Sequence, residues 1–207
     1  MNANNVVIIG AGGHARALIS LAHLNEINVL AIIDTNAQLN ESIMGLPVLS
    51  SIEQYQADVQ FSVIVGVGDS VARKNHLIES TSALYTEMLS HPSAIIDSTL
   101  IVGVCCQIFA GVFIGPLAQL GDNIIVNTHA VIEHEAKIGS HTHVAVGAKV
   151  LGRTSIGQYC FIGAGAVIKE GIQICDNVTI GANSFVNKDI TEPGVYVGSP
   201  ARKIDDK

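Results

Sequence analysis

Residues 108–152 read IFAGVFIGPLAQLGDNIIVNTHAVIEHEAKIGSHTHVAVGAKVLG. Every sixth residue from Ile108 is Ile, Leu or Val: Ile114, Leu120, Val126, Ile132, Ile138, Val144 and Val150. The same step runs back to Ile96 and on to Val186 without a break. The residue four places after each of these anchors is small or aliphatic, as at Val112, Ala118, Ala130, Ala136 and Ala148. Neither the helical nor the strand period produces a repeat of six. A coil of short strands joined by tight corners does, with one anchor pointing inward per strand. Gly or Asp often follows the anchor directly, as at Asp97, Gly103, Gly115, Gly121, Gly139, Gly157, Gly163 and Gly181. These residues are expected to supply corner dihedrals that others resist.

Composition agrees with a narrow, repetitive core. Hydrophobic residues make up 48% of the 207, but aromatics only 4%, and Trp is absent. The net charge of −7 argues against nucleic acid as the main partner, since phosphate binding needs clustered Lys and Arg. The N-terminal MNANNVVIIGAGG has no basic segment and its apolar run stops at Gly10, so it does not read as a signal peptide. No apolar run reaches membrane-spanning length. Cys105, Cys106, Cys160 and Cys175 lack C-x-x-C spacing and are expected to be free thiols of a cytoplasmic protein.

Before the coil the periods alternate. VVIIG (6–10), VLAIID (29–34) and FSVIVGVG (61–68) read as buried strands, and ALYTEML (83–89) as a possible fourth. Helical spacing covers 14–25 and 70–79. Residues 1–90 are therefore expected to form a small Rossmann-like α/β domain with a parallel sheet, 91–190 a parallel β-helix, and 191–207 a tail. In IIGAGGHA (8–15), Gly10, Gly12 and Ala15 stand where a G-x-G-x-x-G/A fingerprint has its small residues, and Asp34 follows about twenty residues on, as an acid for a ribose hydroxyl would. The loop opens a helix, so its N–H groups can cradle a phosphate. The domain is short for a dinucleotide fold, and a nucleotide carrying a sugar suits it better. VGVGD (65–69) brings a second glycine-rich strand end to the same sheet edge.

With eighteen residues per coil, residues eighteen apart stack, and the second residue after each anchor should face outward. One such column, Val104, Asp122, Ser140, Gln158 and Asp176, is polar and expected to be solvated. A second, Ala110, Thr128, Val146, Ala164 and Ala182, is small and mostly apolar, and suits a neighbouring subunit or a slim ligand chain. The third is Ser98, Pro116, His134, Gly152, Glu170 and Lys188. It sets His134 over Gly152, whose N–H should be approachable: a base beside an exposed amide is what acyl transfer requires. His143 is expected semi-buried at a corner, stacked with Ile125 and Phe161. His129 and His141 are expected to be solvated corner residues. His141-x-His143 is a weak zinc hint.

The glycine loop GAGGH, the coil bearing VIEHE and the tail GVYVGSPAR together resemble the bacterial nucleotide-sugar acetyltransferases with hexapeptide repeats, of the UDP-N-acetylbacillosamine N-acetyltransferase and sialic-acid O-acetyltransferase type. The resemblance implies a left-handed β-helix and an acetyl-CoA-dependent enzyme of surface-glycan biosynthesis. The acceptor that the resemblance implies is an amino group of a nucleotide-linked sugar, UDP-linked by preference. The implied assembly is a homotrimer with intersubunit active sites, and no metal is implied. His134 then matches the general base, Glu135 the acid that orients it, and Gly152 the amide meeting the thioester carbonyl. His143, Ala164 and Ala182 match acetyl-CoA contacts. Gly10, Gly12, Gly13, His14, Asp34, Gly68 and Asp69 match nucleotide-sugar contacts, and VGSPAR (197–202) matches a tail by the CoA adenine. Three other readings remain open: O-acetylation of sialic acid, a zinc enzyme of the gamma-class carbonic anhydrase kind, and a non-catalytic nucleotide-binding scaffold.

Overall fold

The computed structural model describes residues 4–55, 59–80 and 84–204. The chain divides into two compact units, Met1–Thr86 and Glu87–Lys207.

The first unit is an α/β sheet. Strands β1 (Asn5–Ile9), β2 (Asn28–Ile33), β4 (Leu46–Leu49) and β5 (Ser62–Val65) run parallel, and β3 (Ser42–Ile43) pairs antiparallel with β4. The order is β3-β4-β2-β1-β5, so the chain reverses its direction across the sheet beside β1. Helix α1 (Gly13–Leu24) buries Ala15, Leu18, Ile19, Leu21 and Ala22, the face its apolar spacing marks. Helix α2 spans Ser70–Glu79 and is capped by Asp69, whose Oδ1 accepts the Ala72 N–H at 2.8 Å.

Two features depart from expectation. The β3–β4 hairpin turns through Met44 (φ 53°) and Gly45 (φ 81°), and Met is an unusual residue for a turn with two positive φ angles, so the sequence does not announce it. No continuous strand forms over 83–89: Leu84 makes a single bridge to Val63, Leu89–Ser90 is already a rung of the coil, and residue 83 lies outside the described residues.

The second unit is a parallel β-solenoid of two-residue strands on three faces, such as Ile125–Val126, Val131–Ile132 and Lys137–Ile138. Each strand pairs with the one eighteen residues on, as Ile125 with His143 and His143 with Phe161. The anchors from Ile108 to Val186 are buried, each contributing about 1.5–3 kcal/mol over an exposed position. Polar residues at the small inward positions are satisfied: Thr142 Oγ1 donates to Gly157 O at 2.9 Å and Thr154 Oγ1 to Lys169 O at 3.2 Å. The tail closes one face. Gly194–Val197 adds a parallel strand and Arg202–Ile204 an antiparallel one, ending the sheet on a charged edge.

The corner chemistry differs from the sequence expectation. The left-handed residue is the third after the anchor, not the first: Cys105, Leu117, Asn123, His129, Glu135, His141, Arg153, Tyr159, Asn177 and Asn183 all have φ of 55–65° there. The glycines after the anchors have another purpose, which is close approach between coils. A Cβ on Gly139 would lie 2.5 Å from the Gly157 carbonyl carbon, and one on Gly121 2.7 Å from Ser140 N.

Candidate active site

The polar outward column is a hydrogen-bonded ladder rather than a merely wet stripe. The Val104 N–H donates to Asp122 Oδ1 (2.9 Å), the Asp122 N–H to Ser140 Oγ (3.0 Å) and the Gln158 N–H to Asp176 Oδ1 (2.8 Å). Each side chain thus satisfies the corner amide one coil below it. His134 cannot join such a ladder, because the residue below it is Pro116, which has no N–H. Its ring turns the other way and lies over Gly152, where a Cβ would stand 2.5 Å from Nε2. Gly152 is buried as a residue, and the imidazole fills the space of the side chain it lacks. Among the described residues the Gly152 N–H makes no hydrogen bond.

Nδ1 of His134 is 3.0 Å from Glu135 Oε2. The same oxygen accepts from Arg153 Nε at 3.3 Å, and Arg153 Nη2 is 3.5 Å from a Glu170 oxygen. The hydrogen bond from His134, then those of Arg153, hold the Glu135 carboxyl below its usual range. A carboxylate on Nδ1 fixes the tautomer with its lone pair on Nε2, the nitrogen beside Gly152. Arg153 was not singled out from sequence. Its stacking eighteen residues above Glu135 is the signal that could have found it.

The other histidines have separate surroundings. His143 sits within a strand and is buried, not semi-buried at a corner; Phe161 meets its ring edge-on at 5.2 Å, and Asn127 Nδ2 is 3.3 Å from its Nε2. His141 is partnered rather than solvated: it stacks on Tyr159 at 5.0 Å and its Nδ1 is 2.8 Å from Asn123 Nδ2. His129 is exposed over Gly111. Among the described residues, no three His, Cys, Asp or Glu side chains converge to hold an ion. Burial pushes the thiols of Cys105, Cys106 and Cys160 up to about 11. Val146 (49% exposed), Ala164 and Ala182 lie open along the small apolar column.

In the first unit a cavity of about 610 Å³ opens at the carboxyl ends of β1, β2 and β5, where open α/β sheets bind ligands. Gly10 and Asp34 line it. Gly12, Gly13, His14, Gly68 and Asp69 do not, whereas Asn36, Ser51, Glu53 and His76 do, unmarked by any sequence signal. Gly10 adopts φ 99°. Gly66 admits Ala15: a Cβ there would stand 3.2 Å from the Ala15 Cα. Gly12 and Gly13 have no neighbour that a Cβ would meet. Asp34 ties the loop down, accepting the Ala11 N–H and the Asn36 N–H, each at 2.9 Å. The Asn36 bond is the main cause that holds its carboxyl below the ordinary value, with Ala11 and His76 adding to it. Arg73, fully buried, donates to Gly68 O (2.8 Å) and Val67 O (3.3 Å) and so shapes the second glycine turn.

Residues 5–79 match the PglD N-terminal domain, residues 135–170 the bacterial transferase hexapeptide (six repeats), and residues 153–188 the hexapeptide repeat of succinyl-transferase. The chain thus joins a match to the PglD N-terminal domain with matches to hexapeptide repeats of transferases. Over nearly its whole length the chain is similar to solved proteins that include the following two. The acetyltransferase domain of PglB from Neisseria gonorrhoeae FA1090, in complex with acetyl coenzyme A, is 26% identical with a TM-score of 0.89, covering 99% of this chain and 100% of that one. PerB from Caulobacter crescentus, in complex with CoA and GDP-perosamine, is 28% identical with a TM-score of 0.87, covering 97% of each chain. A UDP-3-O-acylglucosamine N-acyltransferase from Bordetella avium is 38% identical over 79 residues, 38% of this chain. The chain spans about a fifth (22%) of the length of the curated relatives it matches. No helix among the described residues is long and apolar enough to cross a membrane.

Proposed function

We propose that this protein is an acetyl-CoA-dependent N-acetyltransferase acting on the amino group of a nucleotide-linked amino sugar, UDP-linked by preference. The observation that carries the reading is the His134 ring, oriented by Glu135, lying over a Gly152 N–H for which no acceptor is found among the described residues. The likeness to PglB and PerB, whose structures hold acetyl-CoA and CoA with GDP-perosamine, supports it.

The chemistry is a direct transfer. The sugar amine attacks the thioester carbonyl carbon while His134 Nε2 takes an amine proton. The negative charge passes to the carbonyl oxygen, where the Gly152 N–H can donate to it. The C–S bond then breaks, the amide forms, and the CoA thiolate takes up the proton. No cysteine intermediate is required, and thiols held near 11 are poor nucleophiles. The glycine-loop unit holds the nucleotide, because Gly12 and Gly13 have no packing reason to lack a side chain and leave their backbone open to a phosphate. Asp69, as the cap of α2, and Gly68, held by Arg73, shape the adjoining turn. The exposed Val146, Ala164 and Ala182 column suits pantetheine or a second copy of the chain, consistent with a trimer. A zinc reading is disfavoured by the histidines themselves: His141 and His143 turn to different neighbours.

A thiol-release assay with acetyl-CoA and a panel of UDP-, GDP- and CMP-linked amino sugars tests the reading. Turnover on an amino sugar that is lost in its 4-hydroxy counterpart is expected. Turnover only on hydroxyl acceptors, or none with any sugar, overturns it.

A further inference from the structure

We propose that Arg153 is a positioning residue that holds two carboxylates in two different places, Glu135 against His134 and Glu170 away from the Gly152 N–H. The inference rests on the role of His134 proposed above.

The neighbouring outward column shows what a side chain does at this position of the coil by default. Asp122, Ser140 and Asp176 each reach back one coil and accept the corner N–H beneath. Glu170 stands in the same relation to Gly152, eighteen residues below, and by that rule would accept the Gly152 N–H. It does not. Its oxygen is drawn to Arg153 Nη2 at 3.5 Å, and the Gly152 N–H has no acceptor among the described residues. An amide already bonded to a carboxylate could not stabilise an oxyanion, and the carboxylate would repel the developing charge. Arg153 therefore keeps the donor vacant.

The same guanidinium acts on the base. Its Nε donates to Glu135 Oε2, the oxygen that also meets His134 Nδ1. Glu135 is about half exposed (48%), so the His134 contact alone would leave the carboxylate free to rotate into solvent. A second donor on one oxygen fixes the direction from which it accepts. Arginine suits both tasks because its fork presents Nε and Nη2 in different directions from one rigid plane. A lysine would offer one point of charge to two separated carboxylates.

Arg153→Met should lower kcat about 3- to 10-fold, the reach of an exposed orienting ion pair acting on a transition state, with the acetyl-CoA KM changed less than about 2-fold. In ¹⁵N-histidine spectra the His134 ring should shift population from the Nδ1–H towards the Nε2–H tautomer, a change that a purely structural loss would not cause. Arg153→Lys should recover part of the activity. Adding Glu170→Ala to Arg153→Met should also recover part, because the carboxylate that can block Gly152 is gone. Unchanged kcat and tautomer in Arg153→Met would overturn the proposal, and no recovery on adding Glu170→Ala would overturn its second half. His134→Ala run in parallel separates the two readings: if that variant keeps full activity the base assignment itself fails, whereas an inactive His134→Ala beside an unaffected Arg153→Met sinks only the role of Arg153.

Discussion

The imidazole of His134 occupies the space that a side chain on residue 152 would fill, with Nε2 2.5 Å and Cε1 2.6 Å from an ideal Cβ there. The obstructing atoms are the far end of a movable side chain, not backbone. Gly152→Ala should therefore displace the ring and leave the fold intact. We expect kcat to fall by about 10²-fold or more, the size of a lost acid–base contribution, with a melting temperature within a few degrees of the parent. Steady-state kinetics beside a thermal melt checks this, and a cooperative loss of both would refute it.

His134→Ala should lower kcat by roughly 10²–10⁴-fold while leaving the acetyl-CoA KM nearly unchanged. Glu135→Gln should cost less, since the base remains and only its tautomer control is weakened. His129→Ala, on an exposed ring over Gly111, should be neutral in both constants.

His141→Ala should separate stability from activity. It removes the stack on Tyr159 and the bond with Asn123, which together are worth about 1–2 kcal/mol. Urea unfolding should show that loss, and turnover of the folded enzyme should not change.

The two kinds of coil glycine should answer differently to alanine. At Gly139 a Cβ would press 2.5 Å from the Gly157 carbonyl carbon, which cannot move without parting the coils, so Gly139→Ala should cost several kcal/mol or abolish folding. At Gly147 the space is open but φ is 66°, so Gly147→Ala should cost only about 1 kcal/mol and Gly147→Asn less. Denaturation midpoints measure both.

Asp34 should bind through its charge across the working range. Its carboxyl is depressed in the folded protein below its ordinary 3.8, chiefly by the Asn36 N–H. A depressed acid stabilises above its unfolded value and loses that contribution only as pH falls through the folded one. The loop tie should therefore be constant from about pH 5 upward. Asp34→Asn should weaken nucleotide-sugar binding about 10-fold at all these pH values, because an amide cannot accept from both Ala11 and Asn36 as strongly. Calorimetry at pH 5.5 and 7.5 tests this, and equal affinity of parent and variant would count against it.

The sequence by itself determined the coil and much of its wiring. A period of six with an aliphatic residue at every step has one physical solution, and its eighteen-residue stacking places His134 over Gly152 and Ile125, His143 and Phe161 in one row. The helices were legible for the same reason: apolar spacing reports which face is buried. What only the tertiary structure decided lies between coils, where each contact depends on a residue eighteen positions away and on where the corner turns. Glycine stands in a sequence for either a left-handed dihedral or a close approach, and the string cannot tell which. The left-handed corners fall instead on residues such as Glu135, His141 and Arg153. His141 looks like a surface residue until Tyr159 and Asn123 are seen against it, and Arg153 looks like a solvated charge until its fork is seen between Glu135 and Glu170. Side-chain direction at a corner is set by which amide below needs an acceptor, and Pro116, having none to offer, leaves His134 to turn towards Gly152.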